Sequence, residues 1–232
     1  MTEALRFGDP TVQLSPNQRY PQSRTKEAVR LPIKLNDSEF LFTITLGSIT
    51  EVGADAILCP SNPSFGLGFG AVEHAIAEEA GEQTFDIASS YVQRLGPIDD
   101  DRKTVPYAYA KAFPSGELTK RGIKRIIFSN VLPLGEELTP ETVAQCVKNA
   151  LREADNVGLE SLAIPAIGTG FLNDVTFEES LEGTLIGMQE YLKSTGGKGK
   201  VKSLSFVLYC KPNEENAKEA SDRLKEVVGR LP

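Results

Sequence analysis

Two short apolar runs each open into a glycine-rich turn, and this pattern constrains the fold more than any other feature of the chain. The first run is Asp55-Ala-Ile-Leu-Cys-Pro-Ser-Asn62. Phe65-Gly66-Leu67-Gly68-Phe69-Gly70 follows, and then Ala71-Val72-Glu73-His74-Ala75-Ile76. The second is Ser161-Leu-Ala-Ile-Pro165-Ala-Ile-Gly168-Thr169-Gly170-Phe171. Glycine lets backbone N–H groups approach a ligand closely. A glycine turn that runs into a helix start gathers unpaired amides and the positive end of the helix dipole, which is a cradle for an anion. Two such turns predict a cleft for something phosphorylated.

The rest of the chain alternates in the same way. Short β-branched runs at 30–35, 40–46, 55–59, 104–111, 124–131, 161–166 and 203–210 are expected strands. Residues 71–80 place Val72, Ala75, Ile76 and Ala80 on one helical face, with Gly81 as the stop, and a further helix is expected over 82–95. Thr139-Pro140-Glu141 starts a helix that buries Val143, Val147, Ala150, Leu151 and Ala154. Thr176 and Glu179 form a capping box ahead of Leu181, Leu185, Met188 and Leu192. Asn213 caps a last helix carrying Ala217, Ala220, Leu224, Val227 and Val228. Strands alternating with helices require a sheet covered on both faces. The pair split by Asn36-Asp37-Ser38 reads as a hairpin, so the sheet is mixed. Residues 1–28, polar and without a period, are expected to form an N-terminal extension ahead of one domain at 29–232.

Composition excludes several classes. No apolar run approaches the roughly 18–20 residues that span a membrane, and the first ten residues lack the apolar stretch of a secretory signal. Three distant cysteines and a single histidine, His74, give neither a disulfide framework nor a zinc pattern, so no metal or cofactor is expected. The cytoplasm is the expected compartment. A net charge of −7 argues against a dedicated nucleic-acid binder but not against an anionic small ligand, since backbone amides hold phosphate without net positive charge. The lysines of 193–203 read as a solvated loop or as a second phosphate contact.

Gly66-x-Gly68-x-x-Ala71 matches the dinucleotide fingerprint in form only. The run after the strand is too long, and no acid follows about 20 residues on. A different resemblance runs through the whole of 29–231. Leu46-Gly47-Ser48-Ile49-Thr50, Ala54-Asp55-Ala56-Ile57, Asn62, Gly68-x-Gly70-Ala71-Val72-x-x-Ala75-Ile76 and Ala80-Gly81 resemble the opening of a macrodomain, nearest to the MacroD-type and archaeal-type patterns. The second glycine turn resembles that family's I-P-A-[IV]-[SG]-[TA]-G loop. Arg121-Gly122-Ile123-Lys124 and Val207-Leu208-Tyr209 also fit.

The resemblance implies a three-layer α/β/α fold with a mixed central sheet and a cleft that binds ADP-ribose. It implies ligand contacts from Ser48, Ile49, Gly68, Phe69, Gly70, Ala71, Val72, Gly168, Thr169, Gly170, Phe171 and Tyr209, with Tyr209 stacking on adenine. The alternative for Tyr209 is a half-buried strand aromatic. The resemblance also implies ADP-ribosyl hydrolysis by Asn62 and Glu73 on mono-ADP-ribosylated substrates or ADP-ribose esters. The alternatives are a non-catalytic reader of ADP-ribosylated partners and a domain that no longer binds ADP-ribose. Nucleic acid enters only as an ADP-ribosylated substrate, and no oligomeric state follows.

The chain departs from the family in its ligand loops. Ser48 stands for the aspartate that takes the adenine amine, and Cys59 stands for the first asparagine of N-A-A-N. Phe69 interrupts the glycine triplet, where it stacks on ligand or fills core. Glu73 stands for the catalytic aspartate; it orients a water or is an ordinary first-turn acid. Asn62 contacts the distal ribose or only shapes the turn before Pro63. Phe171 precedes Leu172, where the family carries an aromatic, so it covers the ribose from a shifted register or packs under the loop. Cys59 reads as a buried thiol rather than a nucleophile.

Overall fold

A computed structural model describes residues 5–12, 25–95, 104–132, 137–170, 174–210 and 212–231. The strands are β1 (Arg6–Phe7), β2 (Thr11–Val12), β3 (Lys26–Leu35), β4 (Ser38–Leu46), β5 (Ala56–Ser61), β6 (Ala110–Pro114), β7 (Arg125–Asn130), β8 (Ser161–Pro165) and β9 (Ser203–Leu208). The helices are α1 (Ala71–Ala80), α2 (Gln83–Leu95), α3 (Pro140–Asn156), α4 (Phe177–Thr195) and α5 (Glu214–Arg230). No described helix is long and apolar enough to cross a membrane.

The strands form one mixed sheet in the order β1-β3-β4-β9-β8-β5-β7-β6, with β2 also on β3. The inner run β4-β9-β8-β5-β7 is parallel, while β3 and β6 pair antiparallel at the two ends. Alternation along the inner strands separates two cores. On β5, Ala56 and Leu58 join the α3–α4–α5 side, and Ile57 and Cys59 join the α1–α2 side. The result is the three-layer arrangement expected from the alternating pattern.

The helix punctuation works as the sequence implies. The Thr139 hydroxyl accepts from Thr142 N–H, Thr176 accepts from Glu179 N–H at 3.2 Å, and Asn213 Oδ1 accepts from Asn216 N–H at 2.8 Å. Two expectations need correction. Residues 104–109 are not strand: Pro106 has no N–H to give, Tyr109 N–H turns back to its carbonyl, and the regular register with β7 starts at Ala110. The buried face of α1 is Glu73, Ile76, Ala77 and Ala80, while Val72 and Ala75 are half-buried. Within the polar N-terminal stretch, β1 and β2 add to the outer side of β3, and Gly8 N–H donates to the Pro32 carbonyl. An edge strand presents a row of unpaired backbone groups, and these short segments take them up.

Candidate functional site

The site lies beyond the carboxyl ends of β5, β8 and β9, which are adjacent and parallel. This is where open α/β sheets bind ligands. The cavity there measures about 790 Å³.

The first wall begins at Asn62. Its Oδ1 accepts from the Ser64 N–H (3.0 Å) and hydroxyl (2.6 Å), and its Nδ2 donates to the Gly66 carbonyl (2.6 Å). The side chain thus closes its own turn. Phe65 roots the loop. Its φ is +54°, a strained value for a side-chain-bearing residue, and its fully buried ring packs within 6.2 Å of Tyr109, Phe113 and Phe128. Beyond it Leu67 is partly exposed and Phe69 is 84% exposed, so Phe69 does not fill core.

Helix α1 then starts on Gly70, which has no side chain to cap it. Glu73, at the third helical position, turns back onto the cap residue itself. One carboxylate oxygen takes the Gly70 N–H at 3.3 Å, and the other takes the Ser61 hydroxyl at 3.0 Å. Only 5% of Glu73 is exposed. Burial raises its pKa above the usual carboxylate range, against the opposing pull of Ser61, Gly70, His74 and Gly68. Behind it Cys59 is fully buried, and burial together with the Glu73 charge holds its thiol well above the ordinary value. Cys59 therefore stays protonated at neutral pH and inert.

The second wall follows β8. Ile167 is buried and pins the turn. Gly168 has φ +83°, its carbonyl accepts from Asp174 N–H, and a Cβ there would lie 2.6 Å from Val175, so only glycine fits. The Thr169 hydroxyl donates to the Ala166 carbonyl at 3.0 Å. Gly170 faces open space. The third wall is the end of β9, where Tyr209 is 92% exposed.

The fold brings most of the expected residues together. Asn62, Gly68, Phe69 and Gly70 line the cavity with Ala71, Val72 and Glu73. Gly168, Thr169, Gly170 and Tyr209 face them. Ser48 and Ile49 are not part of the wall. The Ser48 hydroxyl caps the short 3-10 turn Ile49–Glu51 and pairs with the Thr50 hydroxyl at 2.9 Å, while Ile49 is buried in the α1–α2 core. Phe171 lies outside the described residues. The lysine-bearing loop before β9 feeds the amino end of that strand, across the sheet from the cleft.

Sequence reasoning missed the α5 side of the cavity. Asn216, Ala220 and Arg223 reach it from α5, and Phe177 from the start of α4. The Arg223 guanidinium sits 5.0 Å from the Phe177 ring centroid and pairs with Glu178 at 3.1 Å. Ser61 enters the sequence reading only as a residue of the first apolar run. The helical spacing of 216, 220 and 223 was the available signal for the first group; for Ser61 there was none.

The sequence profile of the Macro domain family matches residues 61–181, just over half of the chain. The chain belongs to the macrodomain family. An uncharacterised protein of Pyrobaculum aerophilum is 36% identical over 124 residues, which are 53% of this chain and 62% of that protein, less than two thirds of its length. A Klebsiella pneumoniae protein named O-acetyl-ADP-ribose deacetylase is 30% identical over 127 residues, 55% of this chain and 67% of that one. The Oceanobacillus iheyensis macrodomain, solved with ADP, superposes with a TM-score of 0.67 at 21% identity, covering 87% of this chain and 98% of the other. That likeness establishes the macrodomain fold.

Proposed function

We propose that the cleft binds ADP-ribose, free or attached to a protein, and that the domain acts first as a reader of that group. The observation that carries this is the pair of glycine turns on adjacent parallel strands, facing one cavity with an exposed aromatic at its third side. The volume falls in the range of about 300–1,000 Å³ common for small-molecule sites. A relative named O-acetyl-ADP-ribose deacetylase and a macrodomain solved with ADP support a ligand of this class. With Ser48 turned into its own cap, selectivity for adenine does not come from that hydroxyl.

Hydrolysis is the second reading, favoured by the deacetylase name of the Klebsiella relative. Asn62 and Glu73, the pair the family pattern assigns to it, spend their polar atoms on the first glycine loop and the end of β5. A water beside the anomeric carbon needs a base within about 3 Å, so turnover is expected to be weak or absent. We assign residues 29–232 to the domain and 1–28 to its extension, and place its action in the cytoplasm, in keeping with three unpaired cysteines among the described residues.

Calorimetry with ADP-ribose tests the binding reading. Saturable heat is expected, with AMP, GDP-ribose and NAD competing to different extents. No heat at about 1 mM ligand, a contribution weaker than roughly 4 kcal/mol, overturns it. Efficient release of ADP-ribose from a modified protein, lost in Glu73→Gln, would instead establish the hydrolase.

A further inference from the structure

We infer that Ser61 and Glu73 form an internal strut that shapes the first glycine loop, so that Glu73 positions the ligand wall and does not activate water. This rests on the cleft being the ligand site.

The geometry follows from the start of α1. The first N–H groups of a helix lack partners within it, and Gly70 brings no capping side chain. Glu73 sits three residues in and turns back. One oxygen takes the Gly70 N–H, and the Gly68 N–H faces the same carboxylate. The other oxygen takes the Ser61 hydroxyl from the end of β5. The carboxylate therefore ties strand to loop to helix. The loop backbone lies directly on it: a Cβ at Gly68 would stand 2.7 Å from Glu73 Oε2 and 3.3 Å from Asn62 Nδ2. Nothing larger than glycine fits there without moving the acid.

The groups facing Glu73 are Ser61 and Cys59 from β5, Gly68 and Gly70 from the loop, and His74 from its own helix. In this arrangement the chain's own carboxylate occupies the Gly68 and Gly70 N–H groups, two donors of the loop. Phe69 is held outward between the two anchored glycines. The diphosphate is left to the second turn, where Gly170 is open.

Hydrogen–deuterium exchange on the ligand-free full chain tests this. Glu73→Ala is expected to speed exchange at residues 66–72 by about ten- to hundredfold, the worth of one or two charge-assisted hydrogen bonds. Glu73→Gln should stay within about threefold, because its carbonyl oxygen accepts the same N–H and its amide donates to Ser61. Ser61→Ala should fall between, and ADP-ribose affinity should follow the same order. The Gly70 amide shift should titrate in the native protein, at a pH above the ordinary carboxylate range, and not in Glu73→Gln. If Glu73→Ala does not fold, faster exchange in Ser61→Ala beside unchanged exchange in Glu73→Gln still supports the strut. Unchanged exchange in Ser61→Ala and in any folded Glu73→Ala overturns it, as does loss of turnover in Glu73→Gln with the loop intact. Loss of ADP-ribose binding in the native protein would remove the ligand reading while leaving the exchange result to stand.

Discussion

Tyr209 is the residue whose position says most about the ligand. It is 92% exposed at the first residue beyond β9, and it lines the cavity rather than either core. An aromatic so placed contributes little to folding, since it loses almost no contact with water. Against a nucleobase it contributes about 1–3 kcal/mol. Tyr209→Ala should therefore weaken ADP-ribose binding by roughly five- to 150-fold and leave the thermal midpoint within about a degree. Calorimetry and a thermal melt on the same variant check both halves. A large drop in the melt would place the ring in the fold instead. Ser48 makes the opposite point. Its place in the sequence matches a base contact, but a serine ahead of a helical turn also caps it, and the local bond wins because it forms without any ligand.

At the scale of elements, the α3–α4 contact fixes the far side of the second turn, because α4 is the next element after it. Gly183 and Gly187 let the two helices approach. A Cβ on Gly187 would stand 2.4 Å from the Ala144 carbonyl oxygen, and one on Gly183 2.4 Å from the Pro140 carbonyl oxygen. Both obstacles are backbone, which has no rotamer to relieve them. Gly187→Ala is expected to destabilise by about 1–3 kcal/mol, more than the helix-propensity gain of about 1 kcal/mol returns. Urea unfolding checks this, and a stabilised variant would contradict the packing. The helices were legible because caps and a 3.6-residue period are local. The edge of the sheet was less so. Two-residue strands such as β1 and β2 are too short to carry a period, and at β6 the proline at position 106 shifts the start of pairing in a way alternation does not reveal.

Across the whole molecule, a chain of net charge −7 is fitted to an anionic ligand only locally. The order and spacing of the two turns revealed the cleft, because strand, turn and helix are contiguous in sequence and their strands lie side by side in the sheet. The α5 wall and the Ser61–Glu73 pair were hidden because each joins segments that only the fold brings together. The proposed reader function depends on what the two turns do to one molecule at once. A crystal structure of the protein soaked with ADP-ribose measures that directly. The diphosphate should lie against Thr169 and Gly170, with the base on Tyr209, Phe69 over the opposite rim, and Glu73 still bonded to Ser61 and Gly70. An empty cleft at saturating ligand, or ADP-ribose bound elsewhere on the surface, would contradict it.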